Sequence, residues 1–355
     1  MAGRDERLQQ ILAQLAPGTA LREGIDRVIR AGKGAIIVLG YSEAVAPLLS
    51  GGFKMHTKFS AQRLSELAKM DGAIVLDDDA SKVLWANVHL VPDPSITTKE
   101  TGTRHRTAER TARQTGKPVI SVSESMRLVS LYLDSRKHTL EEISSVLFRA
   151  NQALSTLERY HNRLDEVSSS LSALEIENVV TLRDVLSVLQ RIEMVRRIAD
   201  EIAAYITELG TDGRLLQLQL DELMFGLDDD RALVVADYVP KSSQHTGPIL
   251  KALDEVPAEA LLNLSNLAEA LGYGSAKRGI DEPVQPRGYR LLSRIPRLPE
   301  YVVNRLVERF ETLERLTEAS LEELDDVDGV GESRARSIKE GIARLAESSM
   351  LDRYT

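Results

Sequence analysis

Met70-Asp71-Gly72-Ala73-Ile74-Val75-Leu76 is the stretch from which the N-terminal fold is read. Ile74-Val75-Leu76 is short, apolar and followed by the acidic run Asp77-Asp78-Asp79, so it predicts a strand that ends in a turn. Val83 to Leu90 predicts a second strand joined to the first across that turn. Upstream, Ser60 is a candidate N-cap for a helix carrying Leu64, Leu67 and Ala68, which delivers the chain to Asp71. Further back, Gly34-Ala35-Ile36-Ile37-Val38-Leu39-Gly40 is apolar and bounded by glycines, the pattern of a buried strand. Two helical patterns precede it: Leu8, Ile11, Leu12 and Leu15, terminated by Pro17-Gly18, then Leu21, Ile25, Val28 and Ile29. Downstream, Pro118 to Val122 and Leu128 to Leu133 supply two more strands. Alternating helices and strands make residues 1–138 an α/β domain with a mixed sheet and flanking helices.

The texture then changes. Leu157, Tyr160, Leu164, Val167, Leu171 and Leu174 are spaced alternately by three and four, and a longer helical pattern runs from Leu182 to Leu209. A helix of that second span is on the order of 40 Å long. Gly210-Thr211-Asp212-Gly213 breaks it, Leu215 to Leu223 is again amphipathic, and Asp228-Asp229-Asp230 reads as a solvated turn. Leu261 to Leu271 is helical, and Gly272 to Pro286 reads as a linker. Residues 139–286 are therefore expected to be an all-α spine and linker. Residues 287–355 contain an internal repeat of helix, tight turn, helix: first around Ile295-Pro296-Arg297-Leu298-Pro299, then around Val327-Asp328-Gly329-Val330-Gly331, with Ser320 capping the helix before the second turn.

Composition closes several routes. The 355 residues contain no cysteine, which excludes disulfides, thiolate zinc sites and cysteine nucleophiles. A net charge of -9 and 4% aromatics exclude a generally basic coat or an extended stacking platform for nucleic acid, so any DNA contact is local. Neither a signal-peptide core nor a membrane-spanning apolar run is present, and a cytoplasmic protein is expected.

Thr101-Gly102-Thr103-Arg104-His105-Arg106-Thr107 is read as a cationic, hydroxyl-rich turn leading into a helix from Ala108. Guanidinium groups and free backbone N–H groups at a helix start suit a polyphosphate. Asp71 suits a divalent metal or the acceptance of a proton from a hydroxyl. Each segment has a plain alternative: Asp-Gly is common in turns, and a cationic loop is often simply solvated. Their occurrence together in one small α/β domain favours chemistry on a nucleoside triphosphate. The chain has no GxxxxGK[ST] loop, no zinc-protease spacing and no GxSxG elbow.

Asp71-Gly72-Ala73 paired with Arg104-His105-Arg106 resembles the signature of the diadenylate cyclases, and the tail ending in Gly329-Val330-Gly331 resembles the helix-hairpin-helix module of their DNA-integrity-scanning branch. The resemblance covers the whole chain in order. It implies condensation of two ATP molecules to cyclic di-AMP with release of two pyrophosphates, supported by Mg²⁺ or Mn²⁺. Carried over, it implies Asp71 as metal ligand or proton acceptor, Gly72 and Ala73 beside the nucleotide, and Leu90 at the adenine. Thr103, Arg104, His105, Arg106 and Thr107 would hold the triphosphate and stabilise the transferring phosphorus, with Ser123 a further phosphate contact. A homo-octamer is implied as well. Because the reaction is symmetric and each domain has one Asp71 and one cationic segment, two domains must face each other.

In the tail, glycines flanking Val330 allow a tight turn whose N–H groups can meet a DNA phosphate, followed by Ser333, Arg334, Arg336 and Lys339. Such contacts position DNA without reading its sequence, which favours branched DNA by shape. The acidic residues Glu322, Glu323, Asp325, Asp326 and Asp328 around the same turn suit a purely structural hairpin pair instead. The rival to an enzyme is thus a DNA-binding structural protein whose N-terminal domain only senses ATP or cyclic di-AMP.

Overall fold

The computed structural model describes residues 2–240, 246–274 and 279–352, and it divides into two compact units: residues 1–152 with 202–218, and residues 153–201 with 219–355. The first unit begins with helices α1 (Ala2–Leu15) and α2 (Ala20–Arg30), then β1 (Ala35–Leu39), β2 (Leu49–Ser50), β3 (Phe53–Lys58), α3 (Ala61–Leu67), β4 (Ala73–Leu76) and β5 (Lys82–Leu90). It continues through α4 (Thr103–Thr115), β6 (Val119–Val122), β7 (Val129–Leu133) and β8 (Arg136–Leu140). The sheet is mixed, as expected, with strand order β2-β5-β4-β1-β6-β7-β8 and β3 also paired to β5. Among the described strands only β1 and β4 run parallel; the other pairings are antiparallel.

The central strands are buried on both faces, and their period of two sorts side chains between two cores. Ile37, Leu39, Ile74, Leu76, Ile120 and Leu131 pack with α1, α2 and α3 on one face. Val38, Val75, Val119 and Tyr132 pack on the other with Ala108 and Ala112 of α4. Ser60 caps α3 by accepting from the Arg63 N–H, as its position predicts. β2, β3 and β8 were not among the expected strands. β3 lies almost wholly exposed, so its apolar residues carry no core signal, and β8 continues to Leu140 as the partner of β7.

The helical part comprises α5 (Ile143–Glu177), α6 (Leu182–Leu209), α7 (Arg214–Met224), α8 (Leu227–Tyr238), α9 (Thr246–Glu255) and α10 (Leu264–Ala270). The three-four stripe marks the inner face of α5, where Leu157, Leu164 and Leu171 are buried. Asp228-Asp229-Asp230 is not a turn: it forms the first turn of α8, where carboxylates oppose the positive end of the helix dipole. The hairpins follow as α11 (Tyr289–Ser293), α12 (Glu300–Phe310), α13 (Leu313–Glu318), α14 (Leu321–Asp325) and α15 (Gly331–Asp352). Ser320 and Glu323 form a reciprocal capping box at α14.

Within this second unit the hairpins are joined to α5 and α8 by buried charge. Arg290 donates through Nη1 to Glu175 Oε1 at 2.7 Å, and the Tyr238 hydroxyl donates to the same oxygen at 2.7 Å. Asp237 accepts the backbone N–H groups of Gly288, Tyr289 and Arg290, and so caps α11 from α8. Such a network is tolerated because each charge has an opposite partner or several donors.

Candidate nucleotide site at the end of the sheet

Register assembles the site. β1 pairs with β4 as Ile37↔Ile74, with β6 as Ala35↔Val122, and β4 pairs with β5 as Ala73↔Val88. At these strand ends, Gly34, Asp71 and Leu90 line one cleft, and Ser123 lines the hollow beside it. Residues distant in sequence therefore meet at one end of the sheet. The start of α4 covers the same end. Thr103 is already the first residue of α4 and Gly102 its N-cap, so the Thr-Arg-His-Arg-Thr segment is the first helical turn and not a loop before it. The free N–H groups of that turn lie with the cationic side chains.

A cleft of about 380 Å³ opens there, lined by Gly34, Asp71, Gly72, Ala73, Leu90, Thr103, Arg104 and Thr107 among others. An adjoining hollow of about 550 Å³ is lined by Thr103, Arg104, His105 and Ser123 with neighbouring residues. Arg104 Nη2 lies 3.4 Å from Asp71 Oδ1, a loose contact that leaves both groups able to turn to a ligand. The Asp71 side chain is 98% exposed, so water or substrate reaches it freely. Gly72 has its own reason to lack a side chain: a Cβ there would come within 2.5 Å of the Asn87 backbone. Arg106 lines neither hollow; it is exposed and donates to the Thr101 carbonyl.

His105 is held from behind. Its Nδ1 is 2.9 Å from the Tyr132 hydroxyl, with the two rings edge to face. Burial, together with nearby Lys137 and Arg104, holds the imidazole below its usual range against the opposing pull of Glu100. Burial raises the Glu100 carboxyl, but hydrogen bonds from Lys137 and Tyr132 outweigh it and keep Glu100 ionised. Burial and the Glu100 charge push the Tyr132 hydroxyl well up. The segment between β5 and α4 is strapped to the helix: Arg110 donates to the Ile96 carbonyl, Arg113 to that of Thr97, and the Thr98 hydroxyl to Glu109. Gly34, Glu100, Glu109 and Tyr132 were not anticipated as site residues. The readable signal was Tyr132, since a tyrosine in a buried strand needs a partner for its hydroxyl.

Among the described residues no cluster of three or more His, Asp or Glu side chains forms a ready metal cage. A lone exposed carboxylate suits a hard divalent cation whose remaining ligands come from phosphate and water, so Asp71 fits Mg²⁺ or Mn²⁺ only with a nucleotide present.

The turn of the second hairpin has Gly329 at φ +89° and Gly331 at φ +64°, flanking the buried Val330. Ser333, Arg334 and Arg336 are exposed on the first turns of α15. Arg334 reaches back to the Gly329 carbonyl, Arg336 pairs with Glu332, and Lys339 donates to the Thr317 carbonyl at 2.7 Å. In the first hairpin Arg297 takes the left-handed position of Gly329, at φ +64°, while Arg294 donates to Ser172 at 3.0 Å.

Three family models match the chain: "DisA bacterial checkpoint controller nucleotide-binding" over residues 22–137, "DisA bacterial checkpoint controller linker region" over 140–279 and "Helix-hairpin-helix motif" over 292–349. The DNA integrity scanning protein DisA of Acidothermus cellulolyticus is 58% identical over 99% of this chain and 96% of its own length. The chain belongs to the DisA family. The protein of the same name from Streptomyces coelicolor is 55% identical with the same coverage. A solved structure of DacA from Staphylococcus aureus is 21% identical over 39% of this chain and 90% of that one, with a TM-score of 0.29, too remote to add to the assignment. In this DisA-family chain the nucleotide-binding region contains every residue lining the cleft, and the helix-hairpin-helix region contains both turns. No described helix is long and apolar enough to cross a membrane.

Proposed function

We propose that the chain is a cytoplasmic diadenylate cyclase that joins two ATP molecules into cyclic di-AMP, with branched DNA held by its hairpins regulating the output. The observation that carries this reading is the meeting of Asp71 and Arg104 in one cleft beneath the free N–H groups of α4. In each half-reaction the ribose 3′-oxygen of one ATP bonds to the α-phosphorus of the other. The bond from that phosphorus to the pyrophosphate oxygen breaks, and the hydroxyl proton leaves. A bound Mg²⁺ or Mn²⁺ would supply charge neutralisation on the phosphates. Asp71 is the group that would hold the ion or take the proton, and Arg104 with the N–H groups of Thr103 and its neighbours would stabilise the departing pyrophosphate. Ala73 and Leu90 border the nucleotide, Thr107 adds a hydroxyl on the next turn, and Ser123 faces the phosphates from the adjoining hollow. Arg106 would act only as a peripheral charge.

One cleft holds one ATP beside one Asp71, so catalysis requires two cyclase regions face to face, in a homo-octamer by likeness to the family. Gly329, Val330, Gly331, Ser333 and Arg334 would meet DNA phosphate at the second hairpin. Arg336 and Lys339 would serve once released from their internal partners.

Incubation of the full chain with ATP and Mg²⁺ or Mn²⁺, followed by mass identification of the product, tests the reading. Cyclic di-AMP is expected, and Asp71→Asn should abolish it while leaving the assembly unchanged. ATP binding without any product would leave the sensor reading standing in its place.

A further inference from the structure

Tyr132, 1% exposed and next to last in β7, faces α4 and not the aliphatic core beneath the sheet. Its hydroxyl has three neighbours: His105 Nδ1 at 2.9 Å, the Glu100 carboxylate, and the Ser130 hydroxyl, which donates to it. Glu100 is ionised and paired with Lys137 at 2.8 Å, so it can only accept. An ionised carboxylate is a stronger acceptor than a neutral imidazole nitrogen, so the single Tyr132 proton goes to Glu100. The Tyr132 oxygen is left to accept, and what approaches it from His105 must be Nδ1–H. That choice fixes the rest of the ring: in neutral imidazole the other nitrogen, Nε2, carries the lone pair. Nε2 is buried and has no hydrogen-bond partner among the described residues. A buried acceptor without a donor is costly, so a donor from outside the protein is called for.

We propose that Tyr132 is a positioning residue that, backed by Glu100 and Lys137, locks His105 as the Nδ1–H tautomer, so that Nε2 accepts a hydrogen bond from a substrate hydroxyl or bound water. His105 is thereby distinguished from its neighbours Arg104 and Arg106: it is not a third phosphate-binding cation in the resting site. The ligand group it takes is a donor, of the kind a ribose hydroxyl supplies and an ionised phosphate does not. The charged and titratable groups facing the ring are Glu100 from the strap, Lys137 from β8, Arg104 from α4 and Tyr132 itself from β7. Lys137 also stands over the Tyr132 ring, 5.8 Å from its centre, which holds the relay from the far side.

The catalytic part of this inference rests on the cyclase reading, whereas the tautomer does not, and the test separates the two. In full-length protein labelled with ¹⁵N-histidine, the resonances lost in His105→Gln identify the ring. They should show a protonated Nδ1 and a bare Nε2. An Nε2–H tautomer, or an imidazolium at neutral pH, overturns the proposal whether or not the protein makes cyclic di-AMP. In activity assays Tyr132→Phe keeps the ring and removes the hydroxyl; kcat should fall about tenfold or more with KM for ATP nearly unchanged. Glu100→Gln, which is less buried, covers the case in which Tyr132→Phe fails to fold. It removes the charge that raises the His105 pKa, so the acid limb of kcat/KM should move to lower pH. An unmoved limb, or His105→Lys retaining full activity, overturns the proposal. Wild-type protein that yields no product from ATP, with the predicted tautomer intact, sinks the cyclase reading alone.

Discussion

A Cβ added to Gly34 would lie 2.0 Å from Nη1 of Arg104, so the guanidinium occupies the space a side chain at residue 34 would need. Gly34 is separated from Arg104 by five strands and the helix α3 in the chain, yet it sets how deeply Arg104 can sit beside Asp71.

Gly34→Ala should therefore displace Arg104 toward solvent. Product formation from ATP is expected to fall roughly tenfold or more, because a shift of about 1 Å in a phosphate-binding group is that costly. Stability should drop by about 1–3 kcal/mol from overpacking. Unchanged kinetics alongside an unchanged melting temperature would show that Arg104 has room to yield.

Arg290 and Glu175 form a pair that is almost fully buried, at 4% and 2% exposure. Arg290→Met leaves Glu175 charged without its partner and should destabilise the protein by about 3–5 kcal/mol. Glu175→Gln combined with Arg290→Met should recover part of that loss, as a double-mutant cycle in urea would measure. Deleting the hairpins at residue 286 would strand the same carboxylate and that of Asp237. Point substitutions such as Arg334→Ala are thus the cleaner probe of DNA binding.

Asp237 carries the pH signal of the second unit. Burial and the nearby Glu175 charge push its carboxyl up to about 7, against the three N–H groups and Arg290 that favour the ionised form. Its folded value lies above the ordinary 3.8, so its contribution to stability is complete below that value and is lost as pH rises toward 7. Urea stability should decline from pH 5 to 7 and then level off, with a total change of a few kcal/mol at most. Asp237→Asn should remove this component of the slope while lowering stability overall, since an amide cannot accept from all three N–H groups. A slope that survives the substitution would assign the effect to other groups.

Ser320→Ala removes the half of the capping box in which the Ser320 hydroxyl accepts from the Glu323 N–H, and should cost about 1 kcal/mol in denaturation. DNA binding should be unaffected if the cap serves only the fold.

Local patterns were readable where local physics decides. Ile74-Val75-Leu76 reads as a buried strand, Ser60 and Ser320 as caps, and the three-four stripe as the inner face of a long helix; each is found so. The start of α4 was misplaced by five residues because Arg104, His105 and Arg106 have no apolar period, and only the Gly102 N-cap marks the first turn. The aspartates of α8 read as a turn for a similar reason, since polarity masks a helix start.

The order of residues along the chain determined the alternation of strands and helices, the presence of Asp71 and the cationic segment, and the repeated hairpin, because each depends on neighbours within a few positions. It did not determine that Ser123, Gly34, Asp71 and Leu90 meet at one end of the sheet, that Arg104 fills the space above Gly34, or which neighbour takes the Tyr132 proton. Strand register and the packing of α4 decided those, because contacts between residues far apart in sequence are fixed only when whole elements bury their faces together.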